Sequence, residues 1–346
     1  MTNAPFDSLP KLPPAVDFAV PEIFAAVISA SNALSRLDEI AELLDNSAVF
    51  MNAIPVLEAQ ASSQIEQIVT TNDSIFRAEV SGTKPDIATE LALRLRRSIK
   101  LGAELAEKRG LTAKLAETIC SELLGREMKP RVTSGTVIQS NGKTIYTPPS
   151  PKELPRLLGE WESFINSSDS LHPLIVMALG HYQFEAIHPF SDGNGRTGRV
   201  LNVLALVNAG LLKEPVLQMS KAIEARRHDY YRLLNLVTTD GAWIEWVLFM
   251  LEIVTASAKE SARKLKAITM LQLTFGERYE TKAELVQLIF EKPYCQIGHV
   301  VQRCGVTRVT AANWLESLEK QGALGSVVSG REKFFVNREL LEVLND

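Results

Sequence analysis

The chain has 346 residues, 46% of them hydrophobic and 23% charged, with a formal net charge of −4 at pH 7. That length calls for two or three folded units and that composition for a soluble globular protein. The charge supplies no overall basic field toward nucleic acid or anionic lipid, and no stretch is long and apolar enough to span a bilayer. Cys120, Cys295 and Cys304 match neither a zinc motif nor a disulfide framework. The N-terminus carries Pro5, Pro10, Pro13 and Pro14 and lacks a basic start followed by an apolar run, so a cytoplasmic protein is expected.

Residues up to about Pro21 read as an extended arm. From Glu22 to Lys108 apolar residues recur at three- and four-residue spacing, as in Ile23, Ala26, Leu34, Leu37 and Ile40, which predicts helices. Pro55, the cluster from Thr70 to Ser74, and Pro85 are expected to break this stretch. Thr112 to Leu124 fits a further helix with Gly125 as its stop. Between Arg131 and Tyr146 the texture changes: Asn141-Gly142 sits between two Thr/Val/Ile-rich segments, the signature of a hairpin. Helical patterning returns over Glu153 to Ile165, from Pro173 toward Ile187, from Val200 to near Gly210, over Met219 to Val237, and over Ala242 to Leu265. From about Thr281 a small separate unit is expected. It comprises helices over 282–290, 297–304 and 307–321 and a second hairpin at 327–336, a winged-helix order. The fold class is therefore mainly α, divided into a helical region (1–108), a helical core with one hairpin (109–265), and the winged helix (281–346).

Chemistry concentrates in residues 188–199, His-Pro-Phe-Ser-Asp-Gly-Asn-Gly-Arg-Thr-Gly-Arg. Gly193-Asn194-Gly195 lies where a loop enters an apolar helix, so unpartnered N–H groups and the helix dipole make an anion site. Arg196 and Arg199 share a helix face and suit a polyphosphate. Asp192 beside phosphates calls for a cation, for which Mg²⁺ is the natural choice. The His188 imidazole is of a type that can titrate near neutral pH and can accept a proton from an attacking group. His181, Glu185 and His188 also have a spacing compatible with metal ligation, but Pro189 puts His188 at or past the helix end and an HExxH pattern is absent.

These twelve residues resemble the Fic family motif HxFx(D/E)GNGRxxR at every fixed position. The resemblance covers roughly residues 50 to 260 and implies a Fic-type helical core. In that family the hairpin is a flap, here with Val137 and Ile138, and Tyr230-Tyr231 resembles the pair bordering the adenine pocket. The resemblance implies transfer of AMP from ATP to a Thr, Tyr or Ser hydroxyl of a protein, the chain itself included. His188 would act as base, Asp192 as Mg²⁺ ligand, and Gly193, Asn194, Gly195, Arg196, Thr197, Gly198 and Arg199 as the phosphate-binding run. Phe190 would anchor the loop. Ser62 and Glu66 resemble the inhibitory pattern (S/T)xxxE(G/N), with Gln67 departing from its last position, and imply that Glu66 pairs with Arg199 and restrains the enzyme.

Other readings stay open at this level: removal of AMP, another phospho-group transfer on the same fold, homodimerisation, or transcriptional control through the winged helix. Its recognition helix would offer Thr307, Arg308, Thr310 and Asn313. Residues 282–346 hold eight Lys/Arg and eight Asp/Glu, so the basic footprint usual in DNA readers is missing.

Overall fold

The computed structural model describes residues 5–42, 47–80, 84–134, 136–140, 143–167, 170–329 and 332–346. Four helices open the chain: α1 (Pro21–Glu42), α2 (Ser47–Ile65), α3 (Asn72–Val80) and α4 (Ile87–Arg109). Pro55 does not break α2, contrary to the sequence expectation. A proline inside a helix costs about 3 kcal/mol, but Ile54, Val56, Leu57 and Ala59 around it are fully buried. Burial of each large apolar side chain returns about 1.5–3 kcal/mol, so packing overrides the local penalty. The stretch from Thr70 and the segment at Pro85 do separate helices.

Helix α5 (Ala113–Leu124) has its expected ends: Thr112 Oγ1 accepts the Leu115 N–H, and Gly125 closes the helix in the left-handed conformation. Strands β1 (Ile138–Ser140) and β2 (Lys143–Tyr146) pair antiparallel, with Ile138 opposite Tyr146. The Asn141-Gly142 turn lies outside the described residues. Then follow α6 (Leu154–Ser167), α7 (Pro173–Ile187) and α8 (Asn194–Asn208). Of the fifteen residues of α7 all but Pro173 and Glu185 are buried, as expected of a helix apolar all round its axis. Its backbone is also gripped from both sides: Trp161 Nε1 donates to Gly180 O at 3.0 Å and Trp246 Nε1 to Ala178 O at 2.8 Å.

Two helices differ from the sequence expectation. The helix expected over 219–237 is two, α9 (Met219–Ala225) and α10 (Arg227–Asp240), parted at Arg226, which leaves helical geometry. Helix α11 (Trp243–Arg278) continues past Leu265, because Ile268 and Phe275 prolong its buried stripe. The N-terminal arm is strapped down: the Phe6 N–H donates to Thr147 O at 3.0 Å, Gln183 Nε2 donates to Pro10 O at 3.0 Å, and Leu9 and Phe18 are buried.

The last unit runs α12 (Ala283–Glu291), β3 (Tyr294–Cys295), α13 (Ile297–Cys304), α14 (Arg308–Lys320), β4 (Gly325–Ser329), β5 (Glu332–Val336) and α15 (Arg338–Asn345), with sheet order β3-β5-β4. Strand β3 and helix α15 go beyond the sequence expectation. This unit docks on the rest: Asn72 Nδ2 donates to Asn345 Oδ1 at 2.9 Å, the Tyr294 hydroxyl to Asp73, and buried Lys264 Nζ to Leu344 O at 3.0 Å. Among the described residues no helix is long and apolar enough to cross a membrane.

Candidate active site

The junction of α7 and α8 is a loop held shut by its own side chains. Asn194 Oδ1 accepts the Phe190 N–H and Asn194 Nδ2 donates to Phe190 O, both at 2.8 Å, so one buried side chain closes a ring of five residues. Phe190 is buried beneath it, against Phe184. His188 caps α7 in the left-handed conformation (φ 48°), its N–H donating to Phe184 O at 3.0 Å. A non-glycine residue rarely adopts that geometry, and here it turns the imidazole out of the helix. Arg131, which the sequence reading did not single out, braces the turn: Nε donates to His188 O at 2.9 Å, Nη2 to Ile187 O at 3.3 Å and to Pro149 O at 2.5 Å.

At the other end Gly193 (φ 81°) precedes α8, and no side-chain cap covers the first turn. Asp192 Oδ1 takes the Gly193 N–H at 2.6 Å and an Arg196 Nη2 donor at 3.2 Å, while the carboxylate stays 56% exposed. Arg196 is buried, and its Nε and Nη1 find no hydrogen-bond partner among the described residues. Gly195 has no room for a side chain: a Cβ there would lie 2.6 Å from Glu66 Oε1 and 3.0 Å from Arg199 Nη1.

Arg199 is 1% exposed and fully engaged by α2 and its final turn. Nε donates to Ser62 Oγ at 2.9 Å, Nη2 to Ser62 O at 3.0 Å and to Glu66 Oε1 at 2.9 Å. Burial pulls the guanidinium pKa down, but the Glu66 carboxylate and other nearby anionic groups more than reverse this, so Arg199 stays charged. Glu66 follows the last residue of α2. The turn closes by Ile68 N–H donating to Ser63 O at 3.0 Å, with Gln67 left-handed at φ 62°. That geometry explains why a glycine or asparagine suits the position, since both enter it at less cost than glutamine.

A cavity of about 320 Å³ joins these parts: its lining includes Glu66, His188, Gly195, Arg199, Tyr230 and Tyr231, together with Val137 and Ile138 of the hairpin segment. Tyr230 is buried, its hydroxyl 2.8 Å from His181 Nε2, and meets the 40%-exposed Tyr231 edge to face at 5.1 Å. Tyr146 ties the hairpin to α7 through its hydroxyl, which donates to Ala186 O at 2.8 Å. Burial pushes the His188 imidazole down to about 4, so it is neutral at pH 7. Glu185 also lines the cavity. Burial raises its carboxyl to about 7, against the pull of Arg199, and its Oε1 finds no partner among the described residues.

The structure thus brings His188, Gly195, Arg199, Glu66, Tyr230, Tyr231, Val137 and Ile138 to one cavity. The side chains of others in the phosphate-binding run do not line it. Asn194 spends its side chain on the loop, Thr197 is fully buried, and a Cβ on Gly198 would collide with Glu185. Gly198 lies in the α7–α8 contact, where close helix approach admits no bulk, and Thr197 faces Cys120 of α5. The rival metal set is not assembled. His181 is engaged by Tyr230, His188 turns out past the helix end, and among the described residues no three metal-ligating side chains cluster.

Fold and site define a Fic-type protein. Three family models tile the chain: "Fic/DOC family N-terminal" over 24–104, "Fic/DOC family" over 109–206, and "Protein adenylyltransferase SoFic-like, C-terminal domain" over 278–340. The chain belongs to the Fic/DOC family. It is similar to the "Protein adenylyltransferase Fic" of Nematostella vectensis, 40% identical over 92 residues, covering 26% of this chain and 20% of that protein. The protein of the same description from Aedes aegypti is 38% identical over 107 residues, 30% of this chain and 20% of that one. The match therefore spans only about a fifth of those relatives' length. The crystal structure of a Fic family protein from Desulfovibrio desulfuricans superposes with TM-score 0.58 at 20% identity, over 92% of this chain and 96% of that one. Fic-1 (residues 134–508) from C. elegans gives TM-score 0.55 at 20% identity, over 71% and 73%. At these identities the structures speak for the fold alone.

Proposed function

We propose that the chain is a protein adenylyltransferase that moves AMP from ATP to a Thr, Tyr or Ser hydroxyl of a protein. One observation carries the reading: a neutral imidazole and a glycine–arginine anion end share one cavity, and a carboxylate occupies the anion end. The triphosphate takes the place of the Glu66 carboxylate over Gly195, with Arg199 as its charge clamp and the first-turn N–H groups of α8 as its cradle. The tyrosine-lined part of the cavity receives the base. His188 accepts the proton of the attacking hydroxyl as its oxygen bonds to the α-phosphorus. The bond from that phosphorus to the bridging oxygen breaks, and pyrophosphate leaves. The hairpin edge aligns the target chain by strand-type hydrogen bonds.

Asp192 fits a Mg²⁺ site of the kind completed by substrate, because it presents one half-exposed carboxylate beside the anion end. Bound there with the phosphates, the ion would neutralise their charge. In the absence of nucleotide, Glu66 holds Arg199 and restrains the enzyme.

The relatives' names support the chemistry, and the arrangement of residues supports its assignment. We read 1–108 as the region carrying the inhibitory turn, 109–265 as the catalytic core, and 281–346 as a winged helix. The zero net charge of the last unit suits a protein partner better than a DNA backbone.

The test is mass spectrometry of the Glu66→Gly protein incubated with ATP and cell lysate. An AMP adduct on a Thr, Tyr or Ser side chain, lost in the added His188→Ala variant, is expected. A folded Glu66→Gly protein that yields no such adduct, on itself or on lysate proteins, would overturn the reading.

A further inference from the structure

The inhibitory contact sits on the last turn of a helix, where backbones fray. Its register over Arg199 must therefore be set upstream. Glu58 and Ser62 are four residues apart and lie on one side of α2, and Glu66 follows four residues later, just past the helix end. The last two hold Arg199. The first is a carboxylate only 3% exposed, and both its oxygens go to a single residue of α9. Glu58 Oε2 accepts the Ser220 N–H at 2.9 Å, and Oε1 accepts the Ser220 hydroxyl at 2.5 Å.

An ionisable group buried this deeply is costly, and apolar packing would fill the same space at less expense. Its geometry shows what it is matched to. Ser220 belongs to a ledge that is itself fixed: the Gln218 N–H donates to buried Ser261 Oγ at 3.2 Å, and Lys221 Nζ donates to Asp346 O at 3.0 Å. A paired contact through both oxygens resists sliding and rotation of α2 where a single apolar contact would not.

We infer that Glu58 is a positioning residue for inhibition: its two-point contact with Ser220 sets the register of α2 on α9 and so delivers Glu66 onto Arg199 and Gly195. The inference rests on the reading of Glu66 as inhibitor, and it adds the site from which that inhibition is released. Loosening the α2–α9 contact frees the turn at 66–68, and Ser220→Ala does so without altering the Glu58 carboxyl, whose charge also acts on Arg199.

The experiment uses the full chain carrying Glu58→Gln or Ser220→Ala, each with and without Glu66→Gly, and reads labelled AMP incorporation at several ATP concentrations. With Glu66 present, each substitution raises kcat at least threefold. In the Glu66→Gly background the same substitutions change it less than twofold, since nothing remains to be positioned. An equal fall in both backgrounds would make Glu58 a plain folding element, and no change in either would make it idle; either result overturns the inference. Failure of the Glu66 reading itself is visible separately, as Glu66→Gly giving no gain over the unaltered chain. Hydrogen exchange provides a readout independent of catalysis. Glu58→Gln and Ser220→Ala speed exchange of the Glu66, Gln67 and Ile68 amides at least tenfold while α4 and α7 keep their protection. Unchanged protection at those three amides, or a uniform loss across the chain, counts against the assignment.

Discussion

Arg199 Nη2 donates to Glu66 Oε1 at 2.9 Å, and that same carboxylate oxygen stands 2.6 Å from where a Cβ on Gly195 would be. Glu66 therefore occupies two things at once, the guanidinium and the space above Gly195. Inhibition by competition for Arg199 alone would leave the loop open. On the proposed reading, a nucleotide would have to displace the carboxylate from both.

Removing the Glu66 side chain is accordingly expected to raise the rate of AMP incorporation at least tenfold, which is about 1.4 kcal/mol of barrier. Labelled ATP and gel autoradiography measure it. A gain confined to KM, with kcat unchanged, would mean that Glu66 only competes with nucleotide and does not misplace it.

Gly195→Ala separates the loop from the clamp. In the Glu66→Gly protein the nearest contact left to the new methyl is Arg199 Nη1, at 3.0 Å, and the methyl fills the place proposed for phosphate. We expect KM for ATP to rise at least tenfold there, with the protein's melting temperature little changed. Steady-state kinetics decides; an unchanged KM would move the phosphates off Gly195.

The pH dependence follows from His188. Burial holds its imidazole down to about 4 instead of 6.5, with Arg131 adding to the effect and the Glu185 carbonyl opposing it. The neutral form is the one that accepts a proton, so it persists until the pH falls through about 4. In the Glu66→Gly background kcat/KM should stay level from pH 8 to pH 5 as far as this group is concerned, then decline tenfold per unit at lower pH. A midpoint near 6.5 in kcat/KM would place the imidazole in water in the free enzyme.

Gln67→Gly tests the closing turn. Its φ of 62° costs a glutamine about 1–2 kcal/mol, of which greater freedom of glycine in the unfolded chain returns about half. A net stabilisation of about 0.5–1 kcal/mol is expected in denaturant unfolding. Because a firmer turn holds Glu66 in place, basal AMP incorporation should fall. Destabilisation would show that the Gln67 side chain makes a contribution larger than its backbone cost.

Arg131→Lys probes the brace under His188. Lysine cannot reproduce the fork that reaches His188 O, Ile187 O and Pro149 O. Leaving buried carbonyls unpaired costs about 1–3 kcal/mol each, so stability should fall by at least one such increment. Activity in the Glu66→Gly background should fall about tenfold through kcat, as the imidazole loses its fixed aim. Equal kcat would restrict Arg131 to a folding role.

Much of this protein was legible from residue order. The glycine-rich entry to α8, the two arginines three apart and the histidine before proline are local features, and local geometry suffices to say what they bind. Caps at Thr112 and Gly125 were readable for the same reason. What failed were the places where packing opposes propensity. Pro55 stays helical because its neighbours are buried, and the packing of Gly198 against Glu185 and of Thr197 inside the core left no mark in the residue order. Arg131 gave no signal, since nothing in a solitary arginine before a hairpin tells that three carbonyls from two segments converge on it.

The sequence by itself determined which groups are on offer: an imidazole, a glycine-rich helix entry, a carboxylate and two guanidiniums, all within twelve contiguous residues whose spacing is set by one loop and one helix turn. Only the tertiary structure decided how that chemistry is held. Glu66 and Arg199 are 133 positions apart, and Glu58 and Ser220 162 apart. Contacts at such separations leave no periodic trace in the chain, because they are made by helices whose relative placement is fixed by the shared core.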